Sequence, residues 1–321
     1  MARFLARRLL FAVFLVFAVS SSALVLTRLA PGDVSDQLGP FADPGEVAAL
    51  RARFDLDRGP LTHWALWMSR AARFDFGNSF LYNRPVGSLI GRASVNTAAL
   101  ANVALAAATL LGIPLGIVTG SRRGAVPALI RGASLVCLSI PPLIMSLLLV
   151  FIASRTRWFP AGGMTSVNAV DMQWSAWIAD VALHLPLPAL ALALPLAATF
   201  ERLQSQSMSD AIRQPFVLAA IARGVAPRDV VVGHAWRVSL RPICAVYGLA
   251  IGALLSGSFV VEYVTAWPGL GRLMYEALRA RDVYLVAGCA AMGGLFLAIG
   301  SVIADLLLAA ADPRVREGHA E

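Results

Sequence analysis

Residues 98–120 read AALANVALAAATLLGIPLGIVTG, a run without one charged side chain. A helix needs about 20 mostly apolar residues to cross the hydrocarbon core of a bilayer. Backbone in lipid must satisfy its own N–H and C=O groups, which a helix does internally. The stretch therefore predicts a transmembrane helix and sets the fold class for the rest of the chain. Its Gly112, Pro114 and Gly116 are tolerable in a bundle, where neighbours satisfy freed backbone groups.

Five more such runs occur, at 9–27, 129–153, 183–199, 243–261 and 284–308. The first follows Arg3, Arg7 and Arg8. It exceeds the about 7–15 residues of a signal-peptide apolar region, and no A-x-A site follows, so a retained helix is expected. The run at 129–153 holds Pro141 and Pro142 and is expected to form one span. Composition agrees with six spans. The 321 residues are 58% hydrophobic and 14% charged, against about 45–50% apolar and about 25% charged in soluble domains. The expected fold is an all-α membrane protein with six transmembrane helices.

All 27 basic residues are arginine. A P-loop needs a lysine to reach the nucleotide phosphates, so the chain is not read as a P-loop ATPase. The net charge of +8 is read as a membrane-orientation signal, with no nucleic-acid partner expected. Arginines cluster at the N-terminus, at Arg122, Arg123 and Arg131, across 200–241, and at Arg314 and Arg316. Six spans place all four clusters on one side, so both termini are expected in the cytoplasm. The segments 31–93, 154–182 and 262–283 then lie outside. Trp158, Trp174 and Trp177 in the second of these suit a membrane interface. Cys137, Cys244 and Cys289 sit in apolar runs and read as small buried hydrophobes.

Within 200–241, residues 214–224 read as a short helix. Pro215 suits its first turn and Gly224 the residue past its end. Ala219, Ala220 and Ala222 allow close approach of another surface, and Phe216 offers an anchor for a partner's pocket. On pattern alone, an amphipathic helix lying on the bilayer fits equally well. A second helical turn is expected from 225–229. His234-Ala235-Trp236-Arg237 and Pro242 then lead into the next span.

These residues resemble the cytoplasmic "EAA" loop of ABC-importer permeases of the oligopeptide/dipeptide (peptide/nickel) family, first-permease subunit type. Phe216-Val217, Ala220, Ala222 and Gly224 fall on the Y-V, alanine and glycine positions. His234, Ala235, Arg237 and Pro242 fall on the H-A-x-R…P positions. Pro215 stands where the family has an acid, Leu218 and Ala219 where it has polar residues, Ile221 where it has a basic one, and Val238 where it has Asn. The resemblance extends over nearly the whole chain. It includes Arg28…Pro31-Gly32-Asp33, Phe54-Asp55-Leu56-Asp57, Phe74-Asp75-Phe76-Gly77-Asn78-Ser79 (Phe74 replacing a Gly), Pro85-Val86 and Asn96-Thr97. Further on it includes Glu262, Trp267-Pro268-Gly269-Leu270-Gly271, Arg281-Asp282, Asp305 and Asp312-Pro313-Arg314.

The resemblance implies a multi-pass subunit of the bacterial cytoplasmic (inner) membrane, with lipid around it. Its implied partners are a second homologous permease, two cytoplasmic ABC ATPases and an extracytoplasmic solute-binding protein. ATP and Mg would be bound by the ATPases, with no cofactor and no catalysis in this chain. The substrate class implied is di- and oligopeptides, with nickel complexes, glutathione or opines as alternatives. Residues Pro215, Phe216, Val217, Ala219, Ala220, Ala222, Arg223 and Gly224 would form the helix seated in the ATPase, supported by His234, Arg237 and Pro242. The implied layout is 1–30 as N-terminus and first helix, 31–93 as an extracytoplasmic scaffold, and 94–321 as the permease core.

His234 is read as a hydrogen-bonding residue packing the loop. Asp305 is read as a partner for a loop arginine, and Glu262 and Arg28 as scaffold residues. Pro268–Gly271 reads equally as a turn or as part of a gate. An ATP-independent secondary transporter would be expected to show inverted repeats or mid-span charges, and neither is clear. The chain lacks H-E-x-x-H and G-x-S-x-G, which weighs against an intramembrane enzyme.

Overall fold

The computed structural model of the chain describes residues 2–30, 42–53, 57–226 and 229–311. Motif positions 31–33, 54–56, 227–228 and 312–314 lie outside these, as does Arg316, together with the side chains of Arg3, Arg7 and Asp305. Among the described residues the regular elements are helical, with one isolated bridge between Asn78 and Pro85. In order they are α1 (Ala2–Leu29), α2 (Pro44–Arg53), α3 (Pro60–Ala71), α4 (Val86–Ser121), α5 (Ala125–Ser139) and α6 (Pro142–Thr156). Then follow α7 (Trp174–His184), α8 (Pro186–Ile212), α9 (Pro215–Ala222), α10 (Trp236–Ser239), α11 (Arg241–Val264), α12 (Leu270–Arg279) and α13 (Val283–Ala311). Three helical stretches are individually long and apolar enough to cross a membrane: Arg8–Leu29, Val86–Ser121 and Val283–Ile303.

The 129–153 run is not one straight span. It divides into α5 and α6, which meet at 108°. Ile140 is extended (φ −91°, ψ 117°) before Pro141. A proline disfavours the helical region in the residue before it and has no N–H to continue the ladder. A milder bend of 40° separates α7 from α8 at Leu185, which keeps helical angles (φ −68°, ψ −35°) before Pro186. Two sequence boundaries also move. The 98–120 run lies inside a longer helix beginning at Val86. Residues 200–212, expected within a polar loop, continue α8 because Phe200, Glu201, Gln204, Met208 and Ala211 form a buried stripe at helical spacing.

The chain divides into two packing units. The first takes residues 1–97 and 268–298. Its core joins Leu24, Trp67, Val86, Ile90, Leu285 and Ala287. Trp64 donates its indole N–H to Ser21 at 3.0 Å.

Two clasps in this unit give the quoted motifs a physical role. Buried Asp282 accepts hydrogen bonds from Ser79 Oγ (2.6 Å), Leu81 N–H (3.1 Å) and Leu285 N–H (3.1 Å). The last is an N-cap on α13. Asp75 accepts the Gly77 N–H at 3.0 Å, and Gly77 turns at φ +82° against the Tyr284 ring. In the second clasp, Asn96 donates to the Pro268 carbonyl at 2.8 Å and buried Thr97 accepts the Leu270 N–H at 2.7 Å. Thr97 thereby satisfies one of the free N–H groups at the start of α12. Tyr82 donates to Glu276. Burial and that carboxylate push the Tyr82 phenol up to about 12.

The second unit takes residues 98–267 and 299–321. Here α8 is central and packs against α5, α6 and α11. It also meets α4 along a glycine seam. A methyl group on Gly112 would lie 2.5 Å from the Ala197 carbonyl oxygen. On Gly116 it would lie 2.5 Å from Gln204 Cβ and 2.6 Å from the Glu201 carbonyl oxygen. Gly120 faces Ser205 and Met208 in the same way. Spacing of four keeps these glycines on one helix face, so the two backbones touch. Away from the seam, Ser166 donates both N–H and Oγ–H to Asp180 at 2.6 Å, tying the 157–172 segment to α7.

Candidate functional site

The segment after α8 folds into the short helix the sequence suggests, opened by a proline and closed at its C-terminal end. Gln214 is extended (φ −68°, ψ 145°), and Pro215 opens α9, where its missing N–H costs nothing. At the other end Gly224 takes φ +84°. Its N–H meets the Ile221 carbonyl at 2.9 Å, while the Val225 N–H meets the Ala220 carbonyl at 3.2 Å. This paired pattern is a Schellman closure, and it favours glycine at the left-handed position.

The two faces of α9 differ. Val217 and Ala220, three residues apart, are fully buried with Met208, Ala211, Val230 and Ala235, and Ile117 packs against the same cluster. Burying a valine side chain is worth about 1.5–3 kcal/mol. The other face stays bare: Phe216 is 41% exposed, Leu218 56% and Ile221 50%. Ala219, Ala222 and Arg223 are also exposed. Arg223 folds back, donating Nε–H to the Ala219 carbonyl at 3.3 Å.

Residues 227–228 of the expected second turn lie outside the described residues, and directly after 225–229 comes a turn of π-helix, Val230–Ala235. Such turns are rare and recur at functional sites. Half-buried His234 lies within it, with Nδ1 3.5 Å from the Asp229 carbonyl. Arg237 is exposed on α10, and Pro242 lies in the first turn of α11. Buried Gln204 of α8 donates to Ser239 Oγ at 2.7 Å, and Ser239 donates to the Trp236 carbonyl at 2.9 Å. The loop is thus bolted to α8 twice, by the apolar cluster under α9 and by Gln204–Ser239. Sequence reading passed over Gln204, Ser239 and the glycine seam. The G-x-x-x-G-x-x-x-G spacing at 112, 116 and 120 was the available signal for the seam. Among the described residues no group of three His, Cys, Asp or Glu side chains is placed to hold a metal ion.

Long apolar helices and helix pairs broken at prolines define a polytopic membrane protein. The family described as binding-protein-dependent transport system inner membrane component matches residues 112–317, and the chain belongs to that family. It is 31% identical over 325 residues to the oligopeptide transport system permease protein OppB of Mycobacterium tuberculosis, covering 98% of this chain and 99% of that one. It is 28% identical over 319 residues to AppB of Bacillus subtilis, named an oligopeptide transport system permease protein, with 98% and 99% covered. A chain of Brucella ovis named as a peptide permease is 32% identical over 325 residues, again at 98% and 99%. The resemblance seen in the sequence is borne out. The chain is a membrane-embedded permease component of a binding-protein-dependent ABC transporter.

Proposed function

We propose that this chain forms half of the translocation pathway of an importer for di- and oligopeptides in a bacterial cytoplasmic membrane. In this reading it has six spans with both termini inside: α1, α4, the α5–α6 pair, the α7–α8 pair, α11 and α13. Residues 31–93 form an outer scaffold, and 94–321 form the permease core. A second homologous permease completes the pathway, an extracytoplasmic binding protein delivers peptide, and two ATPases hold ATP and Mg. This chain makes and breaks no covalent bond.

The observation that carries the reading is α9, whose bare apolar face is presented on a helix closed at its C-terminus and packed down through its inner face. Seated in an ATPase groove, α9 moves as a body with α8, to which its inner face is fixed. ATP binding then shifts the balance between inward- and outward-facing states through that differential contact. Phe216, Leu218 and Ile221 make the contact, while His234, Arg237 and Pro242 support the loop behind it.

The test is Phe216→Ala in the reconstituted complex, compared with Val217→Ala. Phe216→Ala is expected to cut binding-protein-stimulated ATP hydrolysis and uptake at least about tenfold while leaving the melting temperature unchanged. Val217→Ala is expected to lower the melting temperature. Full coupling in Phe216→Ala would overturn the role given to α9.

A further inference from the structure

Between the end of α4, the C-terminal half of α5 and the C-terminal half of α8 lies a cavity of ≈ 490 Å³. Four guanidinium groups border it: Arg122 and Arg123 from the α4–α5 turn, Arg131 from α5 and Arg202 from α8. Two acids face them. Buried Glu201 already accepts the Thr119 hydroxyl at 2.5 Å, and Asp210 is exposed. Arg131 donates one N–H to the Thr119 carbonyl at 3.2 Å and keeps its others. Arg122, Arg123 and Arg202 make no ion pair among the described residues. Four cations against two carboxylates leave the lining positive, and gathered like charges repel unless an anion joins them.

One wall of the same cavity is apolar. Arg131, Ser134, Leu135 and Leu138 recur at helical spacing on one face of α5. Leu135 is 54% exposed and Leu138 37%. A cationic end therefore runs directly into a hydrocarbon-compatible wall. A free anion would use only the first of these features, whereas a charged amphiphile uses both.

We propose that this cavity binds the phosphate group of an anionic phospholipid, with an acyl chain along Leu135 and Leu138. Guanidinium forks match phosphate oxygens in pairs, and basic pockets between transmembrane helices take anionic headgroups. Which leaflet supplies the lipid rests on the inside-facing reading of the α4–α5 turn. Binding itself depends neither on that orientation nor on the role of α9, so failure of either leaves the site standing.

The experiment is native mass spectrometry of the full-length chain in its purified complex. It is offered phosphatidylglycerol, phosphatidylcholine, or phosphatidylglycerol with excess inorganic phosphate. The variant is Arg122→Gln/Arg123→Gln/Arg202→Gln. The control is Arg92→Gln, an exposed arginine of the other packing unit. The wild type and the control are expected to retain phosphatidylglycerol over phosphatidylcholine. The triple variant is expected to lose at least about tenfold in that retention. If its melting temperature falls, Arg202→Gln alone is compared in the same way. Equal retention of phosphatidylglycerol by variant and wild type, or of both lipids by the wild type, would overturn the site. Displacement of the lipid by inorganic phosphate would overturn the lipid and leave a soluble phosphate as the occupant.

Discussion

Phe74 stands where the resembled motif has glycine, and its backbone takes a conformation that favours glycine. It takes φ +62° with its ring 86% exposed. A non-glycine residue in the left-handed region costs of order 1–3 kcal/mol. The ring, being in solvent, offsets little of this. Phe74→Gly is therefore expected to stabilise the protein by about 1 kcal/mol, after the greater freedom of glycine in the unfolded chain is counted. A higher midpoint in thermal unfolding in detergent checks it, and an unchanged or lower midpoint contradicts it. At this same scale the candidate site was largely legible. Pro215 and Gly224 are punctuation whose meaning is local, and both took the conformations their chemistry favours. Gln204 and Ser239 were not legible, because their bond links positions 35 apart, and a polar residue on a helix carries no local sign of its partner.

At the scale of elements, the α4–α8 seam sets the tightest tolerance. Gly116→Ala would drive a methyl into the backbone of α8, which has no rotamer to yield. It is expected to destabilise by about 1–3 kcal/mol. Gly132, on α5, has nothing within 4 Å of an added Cβ. Gly132→Ala is expected to be neutral or to gain up to about 1 kcal/mol of helix propensity. Paired melting curves read both, and a Gly116→Ala protein as stable as wild type would refute the close approach. The elements also show why the sequence-based boundaries moved. Hydropathy marks apolar content, so it joined α5 to α6 across two prolines. It also ended α8 at residue 199, where polar residues begin, although Glu201 and Gln204 are buried against α4. Periodicity across 200–212 was the better guide.

For the molecule as a whole, the arginine distribution makes the topology testable. Residue 123 lies in the α4–α5 turn, and residue 70 near the end of α3. With six spans and both termini inside, Arg70→Cys is expected to react with a membrane-impermeant maleimide in intact spheroplasts. Arg123→Cys should react only after permeabilisation. Labelling of both from the same side would exclude the proposed arrangement. Membrane class and helical fold were legible because apolar run length is a sum over neighbours. Packing units were not, since each is assembled from two distant stretches of chain.

The Asp282 clasp imposes an order on biogenesis. Ser79 and Leu81 bond a carboxylate that lies 203 and 201 residues downstream. At about 5–20 residues per second of synthesis, that separation is roughly 10–40 seconds. Throughout this interval Trp67, Val86 and Ile90 wait without Leu285 and Ala287, the apolar partners they have in the finished core. The first segment made is among the last to be completed, so chains arrested before residue 282 carry an unfinished surface that quality-control proteases can recognise.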